Sequence, residues 1–235
     1  KKKTHPLKTI KILCRNKYFI LITLAFAVIY TSLGLTGGSR IYYAKYVLGD
    51  EMLNSTMTMF NYIPTILTIM LIPVFTKRFG KIKALFVGFL FYAAGLVLEI
   101  AGPVNLPMIY TGLVLQGIGH AALYSCLFAI VGDVVDYSEW KDGIREEGIT
   151  YSVTSFGQKI GTGLGTAALG WILAAGHYDG TAAVQSASAI FAIKGLFLYL
   201  PLVITVIVLI IWYLFMGIDK IYPTVRKELD ERREK

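Results

Sequence analysis

Long apolar runs, each about twenty residues or more, make up most of the chain. A helix of that length crosses the ~30 Å hydrocarbon layer of a membrane, and it satisfies its own backbone hydrogen bonds there. Six such runs can be recognised, at residues 18–46, 56–75, 84–101, 108–135, 148–175 and 190–218. The sequence therefore predicts an all-α membrane protein with six transmembrane helices.

The composition agrees with a membrane location. Hydrophobic residues make up 55% of the chain and charged residues 16%, whereas a soluble domain carries about 25% charged residues. The formal net charge of +8 could indicate nucleic acid, but the basic residues gather at the ends and in one short loop, without an aromatic–basic module. Anionic headgroups explain them more simply, so we expect no nucleic-acid partner.

The basic residues are strongly biased to one side of the predicted bundle. An even number of spans puts both termini on the same side, together with the loops that contain Lys77–Lys83 and Lys141–Arg145. On the opposite side Lys45, at the very end of the first span, is the one Lys or Arg besides those that fall deeper within the spans, Arg40, Lys159 and Lys194. Because cytoplasmic loops carry the excess of Lys and Arg, we expect a multi-pass plasma-membrane protein with both termini in the cytoplasm.

Three segments follow from this arrangement: a basic cytoplasmic segment at residues 1–17, a helical bundle at residues 18–218 and a cytoplasmic tail at residues 219–235. The chain starts with lysines and without Met, as an internal loop of a longer protein would. We expect a bend or break in the first span near Gly34–Arg40, and a bend in the second span near Asn61 and Pro64. Six spans fit one half of a transporter built from paired three-helix repeats.

The fifth span carries a lysine on a polar face. Helical steps of three and four from Lys159 lead to hydroxyls at positions 152, 155, 162 and 166, whereas glycines at 157, 161 and 165 lie on the opposite side. An ionisable group in lipid costs roughly 2.5–3.5 kcal/mol, so we expect Lys159 to face a wet cavity or a partner acid. The glycines predict close approach of a neighbouring helix. For the hydroxyls alone, bonding to their own backbone is an equal alternative.

The fourth span offers a second polar strip. Gln116, His120 and Tyr124 follow each other at steps of four, so they share one helix face. The strip indicates either a cavity wall or hydrogen bonding between helices. We favour ligand contact for the amphipathic Tyr124, whereas contact between helices is slightly favoured for His120 alone.

Three acids mark the cytoplasmic end of the fourth span. Asp133, Asp136 and Glu139 are spaced by three, and Arg145 follows in the next loop. Acids at a helix C-terminus are unfavourable against the helix dipole, so specific ion pairing is favoured over a solvated helix end. Such pairs can close the cytoplasmic side and break when it opens, and so form a cytoplasmic gate. Three other charged residues lie closer to the outer ends of their spans, where snorkelling explains them: Arg40, Glu99 and Lys194.

The segment DVVDYSEWKDGIREEGITYS, followed by Lys159 eight residues after Tyr151, resembles the glycoside–pentoside–hexuronide:cation symporters of the major facilitator superfamily. The resemblance covers essentially the whole chain, but only the C-terminal six of the family's twelve helices. It implies half of a twelve-helix major facilitator fold, which takes up a sugar or glycoside together with Na⁺ or H⁺ by alternating access. The implied partners are this small substrate, membrane lipids and an N-terminal six-helix half.

The resemblance also implies roles for single residues. Lys159 matches the family's lysine in the eleventh helix, close to the cation and sugar sites, and Tyr124 matches a position of the sugar site. Cavity positions match Thr154, Ser155 and Gln158, and the cytoplasmic charged gate matches Asp133, Asp136 and Arg145.

No cofactor, metal site or enzymatic activity is expected. The two cysteines, Cys14 and Cys126, have no metal-binding spacing, and HExxH and GxSxG motifs are missing from the sequence. Two alternatives to a symporter stay open. One is a membrane subunit or sensor that binds a sugar without moving it, and the other is a lipid-moving relative of the same superfamily.

Overall fold

A computed structural model describes residues 13–143, 145–182 and 184–234. The described chain is helical, and most of the predicted basic segment, residues 1–12, lies outside it. The helices in chain order are α1 (Lys17–Tyr46), α2 (Leu53–Ile69), α3 (Ile72–Phe79), α4 (Lys81–Ala101), α5 (Leu106–Asp142), α6 (Glu147–Ala175), α7 (Ala187–Lys194), a π-helical segment (Gly195–Tyr199), α8 (Leu200–Phe215) and α9 (Gly217–Arg233).

The prediction of an all-α membrane protein is confirmed. By length and hydropathy, α1, α4, α5 and the continuous stretch from α7 to α8 can each cross a membrane. The pair α2 and α3 becomes a fifth span when its two helices, bent by 55°, are taken together. The fifth predicted span corresponds to α6, which is 29 residues long and carries the polar stripe noted above, and which is not among the helices that pass the same test of length and hydropathy.

Two apolar clusters hold the bundle together. One cluster lies where α1 meets α4, α5 and α8, and its largest buried side chains include Tyr18, Phe26 and Trp212. The other lies towards the opposite end of α1, around Tyr43 and Phe197. The closest helix pairs are α4 with α5, α1 with α6 and α2 with α5.

Glycines bring α1 and α6 into direct backbone contact. A Cβ atom at Gly161 would collide with the Ala27 carbonyl oxygen, and one at Gly165 would collide with that of Thr31. On α1, a Cβ at Gly34 would lie 2.7 Å from the Thr162 carbonyl oxygen. The predicted close approach at the α6 glycines is therefore confirmed.

The first span has no break where one is expected. Helix α1 runs without interruption from Lys17 to Tyr46. Its glycines Gly34 and Gly38 face α6, at Thr162 and Leu169, so they serve close packing and do not break the helix.

The second span does bend, but not at Pro64. That proline lies inside α2, and the helix continues to Ile69. The break follows at Met70 and Leu71, and α3 begins at Ile72. Pro73 lies in the first turn of α3, where its missing N–H removes no helical hydrogen bond, so this position favours the start of a new helix.

Candidate functional site

The polar stripe of α6 faces away from the rest of this chain. Lys159 is exposed, and it lines an open pocket of about 400 Å³ with Tyr151, Ser152, Ser155 and Phe156. Among the described residues, no carboxylate oxygen lies within the 4.0 Å ion-pair distance of the Lys159 ammonium group. Lys159 thus lies on an open face of α6, and its ammonium group has no carboxylate partner within the described residues.

The hydroxyls at the far end of this stripe bond to their own helix. Thr162 donates to the Gln158 carbonyl at 3.0 Å, and Thr166 donates to the Thr162 carbonyl at 3.0 Å. For these two residues the backbone alternative therefore holds. Ser155 lines the pocket together with Lys159, whereas Gln158 is half-buried and is not among the lining residues.

Thr154 does not lie on the open face. It is 0% exposed and belongs to the face of α6 that carries Gly157 and Gly161 and packs on α1. Its hydroxyl donates to the carbonyl oxygens of Thr150 and Tyr151. A substrate on the open face cannot reach it in this conformation, which corrects its expected role as a substrate contact.

A second cavity, of about 250 Å³, lies between α1, α2 and α5. His120 and Tyr124 both line it, and the Tyr124 side chain is 46% exposed. The His120 ring is 5.8 Å from the Tyr124 ring and 4.9 Å from the Tyr92 ring, measured between centroids. The structure thus brings these two members of the predicted strip to one cavity. The remaining lining residues are Leu33, Thr36, Gly37, Arg40, Asn54, Thr58, Asn61 and Tyr62.

Gln116, the third member of the strip, is buried elsewhere. Its Nε2 donates to Glu99 Oε1 at 2.7 Å, between α4 and α5. Glu99 itself is 0% exposed, so the snorkelling expected for it is wrong. Gly95 and Gly112 let the two helices approach so closely that the carboxyl group is enclosed. Gln116 therefore contacts a neighbouring helix, which corrects its expected substrate contact.

Arg40 lies in the cavity between α1, α2 and α5, although the sequence favoured snorkelling. Its Nη1 donates to Thr58 Oγ1 at 3.1 Å, and its Nε is buried without a hydrogen-bond partner. A signal for this placement existed in the second span, where Asn54, Thr58 and Asn61 follow each other at helical steps and form a polar face opposite Arg40.

A charged cluster, formed by Lys81, Asp133, Asp136, Glu139 and Arg145, occupies one end of the bundle. Lys81 Nζ is 2.7 Å from Asp133 Oδ1 and 2.8 Å from Oδ2. Arg145 Nη1 donates to Asp136 at 2.8 Å and to Glu139 at 2.6 Å. Hydrogen bonds to these carboxylates, that to Glu139 foremost, raise the pKa of Arg145 above its ordinary value. The predicted acids are therefore specifically paired.

Helix α9 fastens this charged cluster from the outside. The Tyr222 hydroxyl donates to Asp136 Oδ2 at 2.9 Å, and Arg233 Nη2 donates to Glu139 at 2.8 Å. Asp219 Oδ2 accepts from the backbone N–H groups of Ile82 and Lys83, at 3.1 and 3.2 Å, and so caps the start of α4. These partners all belong to this chain, so the contacts brace the bundle internally.

No group of three or more His, Cys, Asp or Glu side chains in the described ranges has an arrangement that could hold a metal ion. The two cavities present hydroxyl, amide and cationic side chains that can hydrogen-bond to a hydroxyl-rich or charged small molecule.

Known proteins with similar sequences are transporters. The isoprimeverose transporter of Lactiplantibacillus pentosus is 31% identical over 98% of this chain and 48% of the relative. The glucuronide carrier protein homolog of Escherichia coli (strain K12) is 26% identical over 97% of this chain and 50% of the relative. A putative sulfoquinovose importer of the same strain is 27% identical over 99% and 50%.

The chain spans about half the length of the curated relatives it matches. Its residues 1–220 match the profile of a family described as MFS/sugar transport protein. The resemblance to the glycoside–pentoside–hexuronide:cation symporters is confirmed by these relatives, and the chain belongs to the MFS/sugar transport protein family.

Proposed function

We propose that this chain is the C-terminal half of a carrier that moves a sugar or glycoside across the plasma membrane by alternating access, coupled to Na⁺ or H⁺. The observation that carries the proposal is the uncovered polar face of α6, where Lys159 has no ion-pair partner among the described residues. Such a face in a membrane protein requires a watery cavity or a second bundle. This chain covers only about half the length of its sugar-transporting relatives, which supports the presence of a second bundle.

In this mechanism the sugar binds between the two halves near mid-membrane. The exposed Tyr124 ring offers an apolar platform for a sugar ring, and Ser155, which lines the Lys159 pocket, offers hydrogen bonds to hydroxyl groups. The half-buried Gln158, next to Lys159 in sequence, is assigned the same role by the family resemblance. The His120 ring lies next to the Tyr124 ring, with 5.8 Å between their centroids, and so helps to position it. Lys159 neutralises acids of the other half and senses whether the cation is bound. The carrier changes between its outward-open and inward-open states when both sugar and cation are bound or when neither is bound. It does not change state when only one of the two is bound.

Removal of the Lys159 charge tests the coupling. In proteoliposomes that contain the complete carrier, Lys159→Ala is expected to abolish sugar accumulation driven by an ion gradient, because the cation and sugar sites lose their electrostatic link. Lys45→Ala is the control, since Lys45 is an exposed residue paired with Glu51 at 3.4 Å, outside both cavities. Unimpaired accumulation in the Lys159 variant would contradict the assignment.

Counterflow of labelled sugar tests transport itself. Vesicles loaded with unlabelled sugar should draw in labelled sugar through the carrier without any ion gradient. Sugar binding without counterflow would indicate a sensor or subunit instead. Movement of a fluorescent lipid without any sugar flux would indicate a lipid carrier.

We also propose that the charged cluster lies on the cytoplasmic side, where the bias of Lys and Arg places it. Its ion pairs would stabilise the surface that closes against the other half. The predicted gate residues among them are Asp133, Asp136, Glu139 and Arg145. Asp133→Lys repels Lys81 and should slow the exchange between inward-open and outward-open states while sugar affinity at equilibrium stays unchanged.

The exchange can be followed by distance measurements between spin labels on the two halves. Asp142→Lys is the matched control, because Asp142 is exposed at the end of α5 and makes no side-chain hydrogen bond or ion pair within the described residues. A defect of Asp133→Lys in affinity alone would contradict the gate proposal.

A further inference from the structure

A groove with an apolar lining lies at the surface of the bundle, between the bend of the second span and α4. Its volume is about 180 Å³, and Thr68 is the one polar side chain among the described residues that line it. Phe75 of α3 belongs to one wall, and Val87 and Phe91 of α4 belong to the other. The Phe91 side chain is 41% exposed, so the groove is open at its side.

Small residues form the floor of this groove. A Cβ atom at Gly88 would lie 2.7 Å from the Cβ atom of Ala122 on α5, so α4 and α5 are in close contact there and no large side chain fills the space. From Ala84 to Phe91 the lining covers about 10 Å of α4. The volume is below the range of about 300–1,000 Å³ found for pockets of drug-sized ligands. A narrow apolar groove of this kind suits a segment of an acyl chain.

The surface beside the groove is apolar as well. Met70, Leu71 and Val74 are 72%, 66% and 72% exposed, around the break between α2 and α3. In a membrane-spanning bundle, an exposed apolar patch marks contact with lipid or with another bundle. The charges at one end of the groove favour lipid.

Two cations continue the two walls of the groove towards the turn between α3 and α4. Arg78 follows Phe75 by three residues on α3, so the two share a helix face. Lys83 precedes Val87 by four residues on α4 and shares its face in the same way. Both cationic side chains are exposed. Within the described residues, neither has a carboxylate oxygen within 4.0 Å.

The acids at this end of the bundle are already engaged. Asp133 accepts from the Lys81 ammonium group at 2.7 and 2.8 Å. Asp219 accepts from the backbone N–H groups of Ile82 and Lys83, and so it caps α4. An anion that pairs with Arg78 and Lys83 must therefore come from outside the described chain.

We propose that the groove binds an anionic phospholipid, with one acyl chain in the groove and the phosphate group between Arg78 and Lys83. A phospholipid joins an apolar chain and an anion in one molecule, which matches the order of groove and cations. The guanidinium group can donate two N–H groups to phosphate oxygens, and the ammonium group adds a second positive charge. A headgroup with net negative charge is favoured over a zwitterionic one, whose own cation is repelled by both side chains. The site goes beyond the proposed sugar transport and does not depend on it.

Removal of the two cations tests the headgroup part of the site. The complete carrier in a neutral detergent is titrated with phosphatidylglycerol or phosphatidylcholine, and bound lipid is counted by native mass spectrometry. Wild-type carrier should prefer phosphatidylglycerol. Arg78→Gln combined with Lys83→Gln should weaken phosphatidylglycerol binding by about tenfold and phosphatidylcholine binding by less than about twofold, because two attractions to the anionic headgroup are lost.

A second pair of charges on α9 provides the matched control. Arg226 and Lys227 are exposed and make no ion pair within the described residues. Arg226→Gln combined with Lys227→Gln removes the same two kinds of charge away from the groove, so it should leave both affinities unchanged.

A photoreactive lipid tests the groove itself. Phosphatidylglycerol that carries a diazirine in one acyl chain should cross-link wild-type carrier at residues 71–75 and 84–91, and an excess of unlabelled phosphatidylglycerol should suppress these cross-links. Val87→Trp fills the groove and should remove most of them while both cations stay in place. Val203→Trp is the control, because Val203 is 57% exposed on α8, outside the groove.

Each contrary outcome has a clear meaning. Equal affinity for the two lipids in wild-type carrier, or an equal loss in the two charge variants, would overturn the site. Cross-links spread over the whole lipid-facing surface would also overturn it, because they would indicate surrounding lipid without a site. So would the absence of cross-links in the two segments, which would indicate that the other half covers the groove. The cross-linking uses wild-type carrier, so it decides the question even if a variant does not fold.

Discussion

Glu99 and Gln116 illustrate how a single buried hydrogen bond decides the role of a polar residue in a membrane bundle. Gln116 Nε2 donates to Glu99 Oε1 at 2.7 Å, while Oε2 of the same carboxyl group is buried without a partner. Both helices are pressed together at Gly95 and Gly112, so water has no access to replace the bond. The pair therefore stabilises the contact between α4 and α5.

Removal of the amide tests that role. Gln116→Ala is expected to lower the free energy of unfolding by about 1–3 kcal/mol, because it leaves a buried carboxyl group without any hydrogen bond. Thermal unfolding in detergent measures the loss. Gln158→Ala is the control, since Gln158 is half-buried on the other polar helix, and it should change the midpoint little. An unchanged midpoint for Gln116→Ala would contradict the structural role.

At the residue scale, the sequence identified the face of Lys159 but misjudged Arg40 and Glu99. The period of α6 alone showed which residues share a side with Lys159, because glycines and hydroxyls separate cleanly around that helix. The snorkelling expected for Arg40 and Glu99 rests on their depth along the span. Depth indicates whether a side chain can reach the headgroups, but it does not indicate which helix lies beside it. Only the packing of α1 on α2 and of α4 on α5 shows that both side chains are enclosed.

At the scale of the elements, glycine spacing sets how closely two helices can lie. Gly161 packs against the backbone of Ala27 on α1, whereas Gly163, two residues later, has open space where a Cβ would be. The two positions share one helix and one residue type and differ in the neighbour they meet. They therefore form a matched pair for testing the α1–α6 contact.

Gly161→Ala is expected to destabilise the bundle by about 1–3 kcal/mol, because the added methyl group forces α6 away from the Ala27 carbonyl. Gly163→Ala should be neutral or stabilise by up to about 1 kcal/mol, since alanine favours a helix more than glycine does. Thermal unfolding of the two purified variants under identical conditions compares them. Equal destabilisation by both would mean that the α1–α6 contact is not as close as the structure has it.

Helix α9 contributes a cap to a different helix. Gly80, with φ of +95°, precedes α4, and the Asp219 carboxylate takes the place where a Cβ on Gly80 would be. Burial raises the pKa of Asp219, and hydrogen bonds from the N–H groups of Lys83 and Ile82 oppose that rise. The tail after the last span is thus an ordered element, and not frayed chain.

Loss of this cap should be measurable. Asp219→Ala is expected to destabilise the bundle by about 0.5–2 kcal/mol, the usual cost of a removed N-cap. Asp230→Ala, which removes an exposed acid from the same helix, is the control and should change stability by less than about 0.5 kcal/mol. Faster proteolysis within α9 of the Asp219 variant would accompany the loss, and an unaltered digestion pattern would argue against the cap.

At the scale of the whole molecule, the two cysteines report orientation. Cys14 is exposed beside the start of α1, and Cys126 is buried in α5. If both termini face the cytoplasm, a membrane-impermeant maleimide should label Cys14 in inside-out vesicles and not in right-side-out vesicles. Cys126 should react in neither, so Cys14→Ser is expected to remove the labelling of the peptides that derive from this chain. Labelling of Cys14 from outside would reverse the proposed topology.

Hydropathy was sufficient to find the helices of the bundle and their order, because long apolar runs have one stable form in lipid. It did not show that the break in the second span falls at Met70 and Leu71, since prolines at positions 64 and 73 both mark possible breaks in the sequence and only Pro73 lies in the first turn of a new helix. Nor did it reveal that the acids of α5 are shared with α9, because Tyr222 and Arg233 are distant in sequence.

The charged cluster has a mechanical consequence for turnover. Asp133, Asp136 and Glu139 all find their cations within this chain, at Lys81, Arg145 and Arg233. A bundle fastened by its own ions can rock as a rigid body without dehydrating those charges anew in each cycle. In the proposed carrier, the transport rate should therefore vary little with ionic strength on the side of the membrane where this cluster lies.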